Sequence, residues 1–289
     1  MSVIKDSWQH EYITTNGIRL HYVTQGEGPL MLMLHGFPEF WYSWRHQIPE
    51  FAASYKVVAV DLRGYNDSDK PNQQSAYVMD EFVKDVKGVI QGLGYEKCVL
   101  VAHDWGGAIA WNFAYEYPAM VEQLIILNLP HPAKFAQGFR TLQQLLRSSY
   151  IFLFQLPFIP ELLIQMGDYQ PIEMAFKGMA INKSAFTKAD IDAYKDAAAK
   201  RGALTAMLNY YRNVFQLILL NQNWGILEVP TLMIWGEKDT ALGKELTYGT
   251  EAYVRDFQIK YIPNCSHWVQ QEQPELVNQY MQEFLYIKS

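Results

Sequence analysis

The sequence predicts an α/β protein with a mostly parallel central sheet, interrupted by an inserted all-α cap. Three observations predict it: short runs that are apolar at every position, helical patterns between them, and a break in that alternation from residue 131 to 225. Runs apolar throughout suit parallel strands covered on both faces, and strand–helix alternation is how such a sheet is wound.

Residues 8–14 and 18–24 read as a hairpin turned on Asn16-Gly17, a pair suited to positive φ. Residues 30–34, 55–60, 98–102 and 124–127 are the apolar runs; the first three end at His35-Gly36, Asp61 and His103-Asp104. Residues 78–93 form an amphipathic pattern with Phe82, Val86 and Ile90 on one face, Asp85 and Lys87 elsewhere, and Gly92 and Gly94 as stop signals. A second helix, 108–117, ends at Pro118. The insertion predicts several helices, with a loop over 182–187 and a helix over 189–200. Strands resume at 230–235 and 258–262, and 275–286 is a last helix. The expected organisation is one core in two parts, 1–130 and 226–289, around a cap of 131–225, with no repeat or low-complexity linker.

At 289 residues the chain is long enough to bury a substantial core. Its formal charge of −6, without a Lys/Arg cluster, argues against a nucleic-acid partner. Cys98 and Cys265 show no metal-ligand spacing and read as free thiols in a reducing compartment, Cys98 in the core. The N-terminal string MSVIKDSWQH has no apolar signal region. The most apolar stretch, 151–164, is broken by Gln155, Pro157, Pro160 and Glu161 and is shorter than the ~20 residues of a spanning helix. The expectation is a soluble cytoplasmic protein without a membrane span; a homo-oligomer is left open. Aromatic residues make up 15% of the chain, a hint of an apolar cavity.

The chemistry centres on Val101-Ala-His-Asp-Trp-Gly-Gly107, where a strand ends and a helix starts with almost no loop between. Small residues Ala102 and Gly106 lie two positions either side of Asp104, the spacing of a nucleophile elbow. Taken alone, Asp104 fits a cap on the following helix as well as a nucleophile. An elbow serine makes acyl-enzymes from esters, whereas a carboxylate attacks saturated carbon and becomes an ester itself. The helix N-terminus favours its ionised form. Among seven histidines, His267 in Asn-Cys-Ser-His-Trp lies after the last strand and before the last helix, where the order nucleophile, acid, histidine requires the base. His10 and His21 read as structural, His46 and His131 as ambiguous, and His103 as packing. Asp239, in Trp-Gly-Glu-Lys-Asp after a strand, is the acid that would orient His267, with Glu237 its local rival. His35-Gly36-Phe37-Pro38 follows the first long strand. The amides of Phe37 and Trp105 are the candidate oxyanion hole, since Pro38 has no N–H.

The strings HGFPEFWYSWRHQIP (35–49), DLRGYNDSDKP (61–71), AHDWGG (102–107), WGEKD (235–239) and SHW (266–268) resemble the α/β-hydrolase-fold epoxide hydrolases, over nearly the whole chain and most weakly in the middle of the cap. The resemblance implies the α/β-hydrolase fold with a cap, and conversion of a small apolar epoxide and water to a vicinal diol through an Asp104 ester, without metal or organic cofactor. It also implies two cap tyrosines that bind and protonate the epoxide oxygen, one in Tyr-x-x-x-Phe-Gln-x-Pro and one in Asn-aromatic-Tyr-Arg-Asn. Tyr150 and Tyr211 stand at those positions, and Tyr210, at the preceding aromatic position, is expected to pack. A phenol remains a protonated donor at neutral pH.

The elbow and His-Gly-x-Pro alone would also admit hydrolytic dehalogenases. Those need halide-binding N–H donors; Trp105 could supply one, but Phe37 stands where a second is often an Asn. Fluoroacetate dehalogenases carry Arg after the nucleophile and a His-Trp-Tyr cap set, which Trp105 and Ile151-Phe152 do not match. A non-catalytic ligand-binding member of the fold is the rival of another class, opposed by the intact Asp104, Asp239 and His267. A serine-type esterase is opposed by the elbow itself.

Overall fold

A computed structural model of the chain describes residues 8–219 and 223–286. Most of the N-terminal string read above for a signal (1–7), and positions 220–222 of the insertion, lie outside the described residues.

The strands are β1 (Gln9–Thr15), β2 (Ile18–Gln25), β3 (Leu30–Leu34), β4 (Lys56–Val60), β5 (Cys98–His103), β6 (Val121–Leu127), β7 (Thr231–Gly236) and β8 (Phe257–Ile262). They form one sheet in the order β1-β2-β4-β3-β5-β6-β7-β8. The β1–β2 and β2–β4 pairs are antiparallel; β4 onward is parallel throughout. The β1–β2 turn holds Asn16 at φ 48° and Gly17 at φ 75°, two positive values in succession as a two-residue hairpin requires. β3 reads Leu-Met-Leu-Met-Leu, residues that otherwise favour helix. All five are buried, so coverage on both faces overrides local propensity.

β4 lies on one side of β3 and β5 on the other. The chain therefore leaves the carboxyl ends of these neighbours in opposite directions and opens a crevice there, the place where ligands bind in wound α/β sheets. Parallel pairing of Leu34 with Ala102 brings the two strand ends level. Between β6 and β7 the described residues form helices and their connections, with no strand beyond a single bridge of Leu227 to Val254, the insertion expected from the lost alternation.

The helix Met79–Gly92 buries Phe82, Val86 and Ile90 as its periodicity predicts. Asp85, expected away from the apolar face, is also buried. It accepts from Arg63 Nε at 2.7 Å, Arg63 Nη2 at 2.6 Å and Asn16 Nδ2 at 2.9 Å, joining the hairpin turn, this helix and the loop after β4. Tyr210 of the cap donates to the Arg63 carbonyl at 2.7 Å, which extends the same joint to the cap. A fork of this kind is costly to half-remove, because the remaining charge stays buried. Asp85→Ala should lower unfolding free energy by about 3–5 kcal/mol in denaturant titration. A change within about 0.5 kcal/mol, the size of an ordinary surface substitution, would contradict this account of the joint.

Candidate active site

Asp104 is the single residue between β5 and the helix Trp105–Glu116, and its backbone sits at φ 47°, ψ −122°. Positive φ is disfavoured for a residue with a Cβ and costs about 1–3 kcal/mol. The turn is closely packed on both sides. A Cβ on Gly106 would stand 2.3 Å from the Leu34 carbonyl oxygen, and one on Gly36 would stand 2.4 Å from the Asp104 Cβ. The carboxylate makes no hydrogen bond to its own helix, so the capping role left open by the sequence is not what it does. Oδ1 accepts from the Phe37 amide at 2.8 Å, and Oδ2 lies 3.6 Å from His267 Nε2.

His267 lies between β8 and the short helix Val269–Glu272. Its Nδ1 is 2.7 Å from Asp239 Oδ2. Asp239 also accepts from Asn128 Nδ2 at 2.7 Å and from the amides of Ala241 and Leu242 at 2.8 and 2.9 Å. With so many donors on the carboxylate, His267 has Nδ1–H as its donating tautomer and leaves Nε2 toward Asp104. The rival acid, Glu237, pairs instead with Lys244. The structure thus brings Asp104, His267 and Asp239 into one line.

Electrostatics follow from this line. Burial opposes a charged His267, but the carboxylates of Asp239 and Asp104 outweigh it and hold its pKa well above the ordinary imidazole value. Burial likewise opposes a charged Asp104, yet the His267 contact and the Phe37 N–H hold that carboxyl below its ordinary pKa.

Opposite Asp104, Tyr150 begins the helix Tyr150–Phe154 and Tyr211 lies in Ala203–Arg212. Their rings are 5.8 Å apart, and both line the same cavity as Asp104 and His267. Burial first, then the Asp104 charge, raises the Tyr150 pKa; burial, then Tyr150 and Asp104, raises that of Tyr211. Both phenols therefore keep their protons. The flanking motif residues have a structural task. Gln155 donates to the Tyr211 carbonyl at 2.8 Å, and Arg212 donates to the carbonyls of Phe154 and Leu156 at 3.2 and 3.0 Å, so the two tyrosine-bearing helices are stapled together. Tyr210 packs, as expected, against Phe82 at 4.3 Å between centroids.

The cavity measures about 890 Å³, and Phe37, Trp105, Leu129, Phe154, Ile164 and Trp268 are among its apolar walls. Trp105 and Phe37 both meet the Tyr211 ring edge-on, at 5.2 and 5.1 Å. Of the two candidate oxyanion donors, Phe37 N–H bonds Asp104; Trp105 N–H stands in the first turn of its helix, where an amide has no intrahelical acceptor.

The sequence reading missed a second buried network behind the first. Glu39 accepts from the Gly36 amide at 2.8 Å, from Gln270 at 3.0 Å and from Gln271 at 2.9 Å, and lies 2.7 Å from His103 Nδ1. His103 Nε2 in turn lies 2.9 Å from the His267 carbonyl oxygen. His103, expected only to pack, therefore joins the Phe37 loop, the elbow and the His267 loop through Glu39. Asn128 was missed as well; its one visible signal is a polar residue directly after the buried strand β6. The remaining histidines serve elsewhere. His131 caps the helix Pro132–Gly138, its pKa lowered by burial to about 3, and His21 lies 2.6 Å from Asp61. His21, Asp61 and Asp67 are close enough to hold a metal ion, but none lines the cavity.

Comparison with known proteins agrees with this geometry. Residues 29–274 match the family described as alpha/beta hydrolase fold. Epoxide hydrolase 4 of Mus musculus is 43% identical over 281 residues, covering 94% of this chain and 78% of that protein. Epoxide hydrolase 3 of Xenopus tropicalis is 44% identical over 287 residues, covering 96% and 78%. A solved structure of a variant epoxide hydrolase from Bacillus megaterium, complexed with its naphthyloxy propanediol product, superposes with a TM-score of 0.89 at 38% identity, covering 95% of this chain and 99% of that one. No helix among the described residues is long and apolar enough to cross a membrane. With matches of this extent, the chain belongs to the α/β-hydrolase-fold epoxide hydrolases.

Proposed function

We propose that this chain opens an apolar epoxide to a vicinal diol in two steps through an ester of Asp104. In the first step an Asp104 oxygen bonds to an epoxide carbon, the ring C–O bond breaks, and Tyr150 and Tyr211 hold the departing oxygen, one of them giving it a proton. In the second, His267, oriented by Asp239, takes a proton from water. The resulting hydroxide adds to the ester carbonyl and the amides of Phe37 and Trp105 hold the oxyanion; collapse breaks the acyl C–O bond, the proton of the new carboxyl passes to the leaving alkoxide, and the diol and the Asp104 carboxylate are released. The two steps draw only on these side chains and water.

The observation that carries this reading is a pair of protonated phenols, Tyr211 buried and Tyr150 half-buried, facing a carboxylate nucleophile across one apolar cavity. An alkoxide is a poor leaving group unless a donor meets it, and two phenols supply that need. A halide needs N–H donors instead, and Phe37 has none in its side chain. The aromatic walls support an aryl or alkyl epoxide. The propanediol product of the Bacillus megaterium relative is consistent with a diol here.

The charges also suggest how one histidine serves the second step without hindering the first. While Asp104 is ionised, it helps hold His267 protonated. Esterification removes that charge, so the His267 pKa falls; the ring yields its proton, which restores the phenol ionised in the first step, and becomes a base when water must be activated. We also read the chain as one core, 1–130 and 226–289, around a cap of 131–225. The strand rhythm that stops at Leu127 and resumes at Thr231 supports that division. Two buried free thiols favour a cytoplasmic location.

Two experiments test the scheme. His267→Gln, mixed with a good epoxide, should accumulate the mass of one substrate on the peptide that carries Asp104, with turnover reduced by at least about 10²-fold. Absence of any adduct would remove the covalent step. In the same assay, replacing both Tyr150 and Tyr211 by Phe should slow adduct formation far more than either change alone; an undiminished rate in the double variant would remove the phenols from the reaction. The pH dependence divides between the steps. The lowered Asp104 pKa and raised phenol pKa values predict adduct formation that persists below the ordinary carboxylate range and above the ordinary phenol range. Ester hydrolysis should fail as pH drops through the His267 pKa of the ester form. Rapid-quench measurement of both steps checks this, and an imidazole-range acid limb on adduct formation would contradict it.

A further inference from the structure

The outer surface of the cap departs from the usual distribution of apolar residues. Single exposed apolar side chains are ordinary, whereas a contiguous set marks an interaction surface. In the first half of the segment Ile159–Met179, which ends where the backbone turns non-helical at Met166, the residues Ile159, Leu162, Leu163 and Met166 fall at i, i+3, i+4 and i+7, one stripe that closes at the break. All four are exposed, Leu162 by 64% and Met166 by 62%, while Pro160, Glu161 and Ile164 on the other side are buried. The helix thus presents an apolar stripe to solvent as well, with Gln165 as the exposed polar residue on its flank. The single carboxylate in this stretch, Glu161, turns inward to Arg212 at 2.9 Å. Phe158, immediately ahead, holds φ 64° and exposes 77% of its surface, an unfavourable backbone state for an aromatic residue that leaves its side chain in solvent.

This patch is continuous with the mouth of the cavity. Leu153 and Leu163 are exposed at the surface and also line the cavity wall. We propose that this face of the cap docks on the surface of a lipid bilayer, so that an apolar epoxide passes from the bilayer into the cavity without crossing water. The proposal rests on the epoxide reading of the cavity. Three observations select a bilayer over a protein partner. A protein seated on Leu153 and Leu163 would cover the entrance, whereas a bilayer is itself a reservoir of apolar substrate. The stripe side chains carry no hydrogen-bonding group, which protein interfaces use about once per 100–200 Å² and an acyl layer does not need. The charge is also right for lipid headgroups: in residues 131–183, Arg147, Lys177, Glu161 and Glu173 are held in ion pairs, which leaves Lys134, Arg140 and Lys183 against Asp168, in a chain of net charge −6. Docking of this kind is peripheral, with the helix lying in the interface.

The test is co-sedimentation of the full chain with phosphatidylcholine vesicles and with vesicles that also contain phosphatidylserine, beside the triple variant Phe158→Gln, Leu162→Gln, Met166→Gln. None of those three residues lines the cavity. The unsubstituted chain should pellet with both vesicles, more with the anionic ones. The variant should lose at least about tenfold in partitioning, given the apolar surface removed. Both should hydrolyse a short water-soluble epoxide equally, which shows that the variant is folded, while a long-chain epoxide carried in vesicles should be turned over more slowly by the variant. Phe158→Gln alone supplies the same comparison if the triple variant does not fold. Failure of the unsubstituted chain to bind either vesicle, or equal binding by the variant, overturns the proposal. A dimer in light scattering that the variant converts to monomer, without vesicle binding, assigns the patch to a second copy instead. Sedimentation requires no turnover, so a failure of the epoxide reading would appear in the adduct assay and not here.

Discussion

The rest of the site depends on one backbone constraint, the positive φ of Asp104. With that residue in an ordinary conformation, its carboxylate could not leave the sheet at the head of the helix. Two glycines make the turn possible by leaving out the atoms that would collide, Gly36 from the neighbouring strand end and Gly106 from the helix itself. The level ends of β3 and β5 then bring the Phe37 amide to the carboxylate. Glu39 fixes this arrangement from behind. One buried carboxylate bonds the amide next to Phe37, the ring next to Asp104, and two glutamines from the helix that follows His267. Strain at the elbow is thus held by a network that reaches all three loops of the site.

The same economy appears in the charges. A carboxylate, an imidazole and a second carboxylate alternate in a largely buried row, so the two carboxylates stabilise the charged imidazole, and the imidazole stabilises the Asp104 carboxylate, against the cost of burial. Asp239 meets four donors. Among the described residues Asp104 accepts one neutral donor, the Phe37 amide, with the imidazole further away. A carboxylate with few bonds to lose is the better nucleophile, and a carboxylate saturated with bonds is the better anchor. The geometry therefore divides two chemically identical groups between two proposed roles.

Much of this was legible in the sequence, for definable reasons. The parallel strands could be read because burial on both faces forces apolar residues at every position, and the cap because the alternation stops. Asp104 stood out because an elbow imposes small residues at fixed spacing. His267 and Asp239 followed from chain order and from the strands that precede them. What was not legible depends on contacts remote in sequence. Glu39 meets Gln270 across 231 positions, and nothing local marks either as a partner. Asp85 was assigned to the polar side of its helix because the period describes a helix, whereas its burial is decided by Arg63 and Asn16. His103 looked inert because its turn directs it away from the nucleophile. The exposed apolar stripe of the cap was invisible for the opposite reason: periodicity shows that leucines share a face, but not whether that face is covered.

The most direct measurement of the central claim follows oxygen. A single turnover in isotopically heavy water, with enzyme in excess over epoxide, should place the heavy oxygen in the side chain of Asp104 and leave the first diol unlabelled, because the diol takes its new oxygen from that carboxylate. Heavy oxygen in the diol from the first turnover, with none in Asp104, would mean that water opens the epoxide directly and that this carboxylate never bonds to carbon.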